Sequence, residues 1–498
     1  MTARARAARR FPPARGRGAL VVALVLAASG VVYLSWRGSR SIGQAIRIDD
    51  ERSDAGIPWP TPIAVAEPEG AHPFATALSA NKRYFLDQYG EPILVKGDSP
   101  WSLMTRLSLS QADLWFTDRE QRGFNAAIIS LIGSTGNGGP SVAGATFDGL
   151  KPFVHGDVLN WQEPYWQRVT SYLRLAADHG ITVMLYPIDG WTIGTSFVPR
   201  SFSQCHEYGR RVAERFADLP NIVWMSGGDY VPATKDLVRG SDADACIDAM
   251  MRGIRETGDA RPFSMQLAGE KSISTDNPYW ADKVDWNFVY TYYPTYRAVL
   301  EAYERRPIRP AILGESNYEG ENNQPESQPT TNQTLRRQVL WALTSGAAGE
   351  FVGSHDWTFE DGWEQRLSTP ALTQIVDLRT LVSGLPWWQL EPDRADEILT
   401  GGRGTELTTD APMDVLDNDY ATAAATPDRR LTLIYLPTSR AISINLSRLP
   451  TGSRAFWVDP TSGREREVAV TPSLAAPGTN AGGDTDWLLL IRAPSVEK

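Results

Sequence analysis

Asp229 and Glu315 each follow a short apolar run. Residues 222–225 lead into Ser226-Gly227-Gly228-Asp229-Tyr230, and residues 311–313 lead into Gly314-Glu315-Ser316-Asn317-Tyr318-Glu319. Two carboxyls delivered by separate elements suit a reaction that needs an acid and a second, ionised carboxylate. The same grammar recurs along the chain. Gly97-Asp98-Ser99-Pro100-Trp101, Asp189-Gly190-Trp191, Tyr290-Thr291-Tyr292-Tyr293 and Gly353-Ser354-His355-Asp356-Trp357 all close apolar runs with acids or flat aromatic rings. Sugars present polar edges and apolar faces, so acids beside aromatic rings are what a sugar site requires. In a retaining glycosidase one carboxyl protonates the leaving oxygen and the other attacks the anomeric carbon, the two lying ~5–5.5 Å apart. Asp229 is expected to be the acid/base, its pKa raised by the negative neighbour and partial burial, and Glu315 the nucleophile. Asp98, Trp101, Trp191, Tyr230, Tyr292, Glu319, His355, Asp356 and Trp357 form the expected substrate-binding set.

Each of these residues also has a structural reading. An acid after a strand often caps a helix or solvates a turn. Asp98, His355 and Asp356 fit either reading. Most of the 17 Trp belong to the core, and Trp224, inside its run, is one of them.

The elements that position these groups follow from the hydrophobic pattern. Strands are expected at 92–96, 126–132, 182–187, 222–225, 263–267, 286–290, 311–313 and 350–352. Helices are expected at 165–178, 206–217, 245–256, 295–304, 334–344 and 371–381, with apolar positions near 3.6-residue spacing. Eight strands alternating with helices over some 300 residues predict an α/β fold, a (β/α)₈ TIM barrel, whose reactive groups come from the C-terminal strand ends. A doubly wound open sheet is the competing arrangement, but no Gly-rich phosphate fingerprint follows the first strand. After residue 385 the period changes to short alternating runs at 431–436, 441–446, 453–458, 465–470 and 486–491, which predict a small antiparallel β-sandwich.

Other chemistries lack their residues. The five histidines, His72, His155, His179, His206 and His355, form no His-x-His pair or cluster, so neither a metal nor another cofactor is expected. No Gly-x-Ser-x-Gly elbow and no phosphate-binding Gly-x-x-x-x-Gly-Lys loop occurs. Cys205 and Cys246 fall in predicted helices, which does not suit a nucleophile.

The residues around 75–385 resemble the apiosidase-like family of (β/α)₈ glycoside hydrolases. Gly97 through Trp101, Trp224 through Tyr230 (WMSGGDY) and Leu313 through Glu319 (LGESNYE) carry the likeness. The resemblance implies an acid/base at Asp229 and a nucleophile at Glu315. Some members act on branched, apiose-containing pectin. The tail, through Phe456-Trp457-Val458-Asp459-Pro460-Thr461-Ser462-Gly463, resembles a β-sandwich named for collagen binding in a collagenase. Thr461 replaces the basic residue usual there, and collagen binding is not inferred.

Charge divides the chain. The total is −10, but residues 1–48 hold nine Arg and no acid, which leaves 40 basic and 59 acidic residues, or −19, in 49–498. So acidic a body excludes a broad nucleic-acid surface. Six of the Arg precede an apolar run at 19–36, just long enough to span a ~30 Å hydrocarbon core as a helix. This predicts a single-pass anchor with the body outside the cell membrane; a signal peptide cleaved near Ala28-Ser29-Gly30, giving a secreted protein, is the alternative. Export permits a Cys205–Cys246 disulfide, and free buried thiols remain equally open. The expected organisation is an anchor at 1–40, a Pro-dotted linker at 41–75, a barrel at 76–387 and a sandwich at 388–498. The partners implied are a glycan substrate and, through the N-terminal helix, a membrane. A non-catalytic glycan-binding or envelope-organising protein on a decayed barrel, or a transglycosylase using the same carboxylates, are the alternatives.

Overall fold

The computed structural model describes residues 72–494, apart from 199, 232–240, 270, 322 and 324–328. The expected anchor at 19–36 and most of the linker lie outside the described residues. Among the described residues no helix is long and apolar enough to cross a membrane.

Eight strands build the central sheet: β1 Val95–Asp98, β2 Ala126–Ser130, β3 Thr182–Tyr186, β4 Ile222–Tyr230, β5 Phe263–Leu267, β6 Asn287–Thr291, β7 Ala311–Glu315 and β8 Gly349–Val352. They pair in parallel in the order β5-β4-β3-β2-β1-β8-β7-β6. This is a barrel closed everywhere except between β5 and β6. There β6 pairs with an antiparallel strand, Lys271–Ile273. Ser264 on β5 reaches across the seam and donates to the Trp286 carbonyl at 2.6 Å. β2 (AAIIS) and β3 (TVMLY) are buried along their whole length, as parallel strands covered on both faces must be.

Seven α-helices of ten residues or more surround the described barrel, besides the single turn Leu103–Arg106: α1 Leu109–Gln121, α2 Glu163–Asp178, α3 Phe202–Arg215, α4 Asp242–Glu256, α5 Thr295–Glu304, α6 Asn332–Thr344 and α7 Pro370–Ser383. Ser108, Ser201, Ser241, Thr331 and Thr369 cap five of them by accepting from the third backbone N–H beyond. In place of a helix of several turns, the described residues of the β5–β6 connection carry the strand Lys271–Ile273 and a 3₁₀ turn, Ser274–Asp276. Helix α1 was not among the helices expected from the sequence. Its buried face includes Arg119 beside Ala112, Trp115 and Phe116, so its apolar periodicity is weak. A disulfide joins Cys205 on α3 to Cys246 on α4, which resolves the open choice between paired and free thiols.

The C-terminal sandwich consists of a six-stranded sheet, in the order Glu391–Pro392, Thr422–Ala425, Leu431–Leu436, Trp487–Arg492, Arg454–Val458 and Glu465–Val468, and a three-stranded sheet of Leu399–Gly401, Ala441–Ile444 and Ser473–Ala475. One face of the larger sheet (Ile434, Trp457, Leu489) packs on the smaller sheet. The other face (Leu433, Tyr435, Leu488) joins the apolar cluster that includes Trp341 of α6. Both faces are therefore buried, and Leu431–Leu436 reads as six consecutive buried residues rather than an alternating strand. Arg336 and Arg337 of α6 are buried against the sandwich. Arg336 pairs with Asp486 at 2.9 Å, and Arg337 donates to the carbonyl oxygens of Asn418 and Pro437.

Candidate active site

The end of β4 departs from its neighbour. Ile222 to Gly227 run in register with β3 and β5, after which the pairing jumps from Gly227–Gln266 to Tyr230–Leu267. Gly228 and Asp229 are the extra residues of a bulge, a device that re-aims a side chain at a barrel rim. Gly227, Gly228 and Asp229 all have positive φ, at 95°, 81° and 49°. Gly227 cannot be replaced freely, because a Cβ there would lie 2.0 Å from the Gln266 carbonyl oxygen. The Gly-Gly pair thus permits the bulge, and the bulge turns Asp229 out to the open mouth, where it is exposed. Strand alternation then sends Tyr230 to the opposite side.

Glu315 closes β7 and is buried at 7% exposure. Its Oε2 accepts from Gln266 Nε2 at 2.7 Å, and its Oε1 accepts from the Tyr292 hydroxyl at 3.2 Å. Gln266 is held in turn by Tyr186, whose hydroxyl donates to Gln266 Oε1 at 2.8 Å. Tyr290 is the register partner of Glu315 on the neighbouring strand and donates to the Tyr292 hydroxyl at 2.8 Å.

Burial and then the nearby Asp229 charge push the Glu315 carboxyl well above the usual range. Burial also pushes Asp229 up. The residue's surface is open while atoms crowd its carboxyl; the open surface decides what a substrate can reach, and the crowding decides the direction of the pKa. The Asp229 charge therefore makes ionising Glu315 beside it costly. Glu315 receives two donors, which favours its charged form and works against that burial.

The remaining expected residues divide into three groups. Trp191 is half-buried beside the bulge, close enough that a Cβ on Gly228 would come within 2.9 Å of its ring. Tyr292 contacts Glu315 directly, as above. Trp357 is half-buried near them, and its indole donates to Glu321 at 2.7 Å.

A second group sits to one side. A cavity of about 160 Å³ is lined by Asp98, Arg119, Glu319, His355, Asp356 and Thr369, and by neither Asp229 nor Glu315. Asp98 pairs with Arg119 at 2.5 Å, Asp356 accepts from Arg366 Nε at 2.9 Å, and Glu319 accepts from Thr369 at 2.9 Å. Burial raises the Glu319 pKa. His355 is exposed on the rim of this cavity. The two carboxyls and the donors to Glu315 lie outside it.

Two expectations are corrected. Tyr230 does not face the mouth: its hydroxyl donates to Asp244 at 2.8 Å on the helix side, where Trp280 donates to the same oxygen. Trp101 is buried at 3% exposure beneath the floor, its indole donating to Tyr318 and its ring packed edge-on against Trp191. Its ring faces the core rather than a ligand.

Sequence reasoning missed Gln266, Tyr186, Tyr290 and Glu321 as members of the site. The available signal for Gln266 was a lone amide inside the apolar run FSMQL, a polar group that burial obliges to find partners.

A family model described as "Apiosidase-like, catalytic domain" matches residues 79–389, and one described as "Putative collagen-binding domain of a collagenase" matches residues 413–492. A solved glycoside hydrolase family 5 structure from Bacteroides vulgatus is similar with TM-score 0.70 and 19% identity, covering 85% of this chain and 95% of that one. A second solved structure, titled "Glycoside hydrolase", has the same TM-score and identity and is covered to 97%. At that identity the likeness shows the fold. No curated protein matches the chain in sequence. The chain belongs to the apiosidase-like family and is a glycoside hydrolase.

Proposed function

We propose that the chain is an exported, retaining glycoside hydrolase in which Asp229 is the acid/base and Glu315 the nucleophile. The observation that carries this reading is the asymmetry of the pair. Glu315 is buried, fixed by two donors and unable to wander; Asp229 is open to the mouth on a glycine-built bulge. A nucleophile needs fixed geometry and charge, and an acid needs a proton and access to the leaving oxygen. In the first step the proton on Asp229 passes to the leaving oxygen as Glu315 bonds the anomeric carbon. In the second, Asp229 takes a proton from water, which displaces Glu315 and restores the configuration.

Trp191, Tyr292 and Trp357 are read as the sugar contacts, with Asp98, Glu319, His355 and Asp356 placed further out along a glycan. The Cys205–Cys246 disulfide supports an oxidising compartment, and the apolar run 19–36 supports a membrane tether, with 41–75 as a spacer ahead of the barrel at 76–387 and the sandwich at 388–498. The substrate class is a cell-surface or environmental glycan.

The test is the anomer of the first-formed product, read by proton NMR on residues 49–498 after a screen of aryl furanosides and pyranosides. Retention is expected, and inversion would overturn the mechanism. Glu315→Gln is expected to abolish turnover while glycan binding persists. Asp229→Ala is expected to slow poor leaving groups far more than activated aryl glycosides.

A further inference from the structure

The turns that follow β2 and β3 meet at one buried carboxylate. Asp189 is 1% exposed, and Asn137, from the 3₁₀ turn Thr135–Asn137, is fully buried. Asn137 Nδ2 donates to Asp189 Oδ2 at 3.0 Å. The amide cannot face the other way, because its Oδ1 accepts from the Ser134 backbone N–H at 2.7 Å. Asp189 Oδ1 accepts from the Thr192 N–H and the Thr192 hydroxyl, each at 2.8 Å, and from the Trp191 N–H at 3.1 Å. Four donors therefore hold the two oxygens. A carboxylate buried and engaged in this way does not meet a substrate. It ties the backbone of Trp191 to the turn before Gly138.

The same two turns grip the Trp191 ring. A Cβ on Gly136 would strike Cδ1 of its five-membered ring, and a Cβ on Gly228 would come within 2.9 Å of Cζ3 of its six-membered ring. Trp101 packs edge-on against it at 5.6 Å. The segment is also bonded to the bulge: the Gly190 N–H donates to the Gly227 carbonyl oxygen, and a Cβ on Gly190 would strike the Gly228 carbonyl oxygen. The indole thus lies between the 3₁₀ turn and the bulge that carries Asp229, and it stays half-buried there.

We infer that Asp189 and Asn137 are positioning residues: their hydrogen bond fixes the Trp191 indole as the platform on which a sugar ring stacks beside Asp229. This rests on the reading of Trp191 as a sugar contact and adds what holds it in place. A side chain gripped in one geometry loses little rotamer freedom when the sugar binds, so the bond acts on substrate affinity. Interactions made equally in the ground state and the transition state change KM and leave kcat alone.

The experiment measures kcat and KM of the full chain on the 4-nitrophenyl glycoside that wild type cleaves. The variants are Asp189→Asn, Asn137→Asp, the reciprocal swap that carries both, Trp191→Ala, and Trp191→Ala combined with Asp189→Asn. Asp189→Asn sets two amide donors against each other, and Asn137→Asp sets two carboxylates against each other while the Ser134 N–H keeps its acceptor. Each single variant is expected to raise KM about tenfold with kcat within about threefold of wild type. The swap restores the bond with donor and acceptor exchanged, and its KM is expected to return to within about threefold of wild type. If Asp189→Asn does not fold, Asn137→Asp takes its place throughout.

Because Asp189 acts through Trp191, adding Asp189→Asn to Trp191→Ala is expected to raise KM no further than about twofold. Multiplying KM effects would overturn the inference, since a carboxylate that merely braces the fold gives independent losses. A swap no better than the single variants would overturn it too. The underlying reading fails separately: if Trp191→Ala keeps the wild-type KM, Trp191 is not a sugar contact and the inference falls with it. If Trp191→Ala raises KM while Asp189→Asn does not, only the positioning role is wrong.

Discussion

Gln266, buried at the end of β5, donates its side-chain amide to Glu315 on β7 at 2.7 Å, reaching across the barrel's open seam side. This bond and the one from Tyr292 are what fix the Glu315 carboxylate. Replacing Gln266 with Leu keeps the volume and removes the donor. A hydrogen bond to a charged group contributes roughly 1.5–3 kcal/mol. The expected result is a fall in kcat/KM of about ten- to a hundredfold with little change in KM, measured on an activated aryl glycoside.

The raised pKa of Glu315 has a consequence for stability. A carboxyl whose folded pKa lies above its unfolded value binds more protons when folded, so its contribution is fully present below the ordinary carboxylate pKa and is lost as pH rises through the folded one. Glu315→Gln removes that loss. The variant is expected to melt higher than wild type near pH 7.5 and to lose most of that advantage near pH 4, as read by thermal unfolding at both pH values. An advantage that grows toward acid would contradict the burial argument.

Tyr230 stands next to Asp229 and does the opposite job. Its hydroxyl is bonded to Asp244 on the helix side of the barrel. Tyr230→Phe is expected to leave KM and kcat unchanged and to lower stability by about 1 kcal/mol, the net worth of one buried hydrogen bond. Denaturant unfolding with parallel kinetics checks both halves.

The disulfide closes a stretch of 41 residues between α3 and α4. Chain-entropy arguments assign such a loop roughly 4 kcal/mol. Reduction, or the double replacement Cys205→Ser and Cys246→Ser, is expected to lower the unfolding midpoint without changing the pH limbs of activity. A change in those limbs would tie the bond to the site.

Arg336 is fully buried between barrel and sandwich with Asp486 as its partner, both side chains at or below 1% exposure. Removing one partner leaves the other charge buried, which typically costs about 3–5 kcal/mol. Arg336→Met is expected to destabilise barrel and sandwich as one cooperative transition. Two separate transitions would mean that the sandwich is not mechanically part of the enzyme.

Local pattern was enough for much of this molecule. Phe263–Leu267 and Leu431–Leu436 begin and end where the apolar runs do, because a buried strand is recognisable from its own residues. The acids at strand ends were legible for the same reason. A Gly-Gly-Asp after one apolar run and a Gly-Glu after another announce themselves without any partner, and the match to the family carries the rest. Helix α1 escaped because its inward face holds an arginine, and Thr422–Ala425 because alanine carries little strand signal.

What only the tertiary structure decided was direction. Whether Tyr230 or Asp229 faces the mouth depends on a bulge set by β5, whose backbone lies too close to Gly227 for a side chain. Whether Trp101 meets a sugar or the core depends on Tyr318 and Trp191, distant in sequence. Gln266, Tyr290 and Tyr292 become a site only because β5, β6 and β7 bring their inward faces to one carboxylate. The sequence by itself determined which groups can carry charge and protons, since that is a property of residue type. Which of them meet, and which donors reach each carboxyl, is a property of contacts between strands, and no stretch of the chain contains both sides of such a contact.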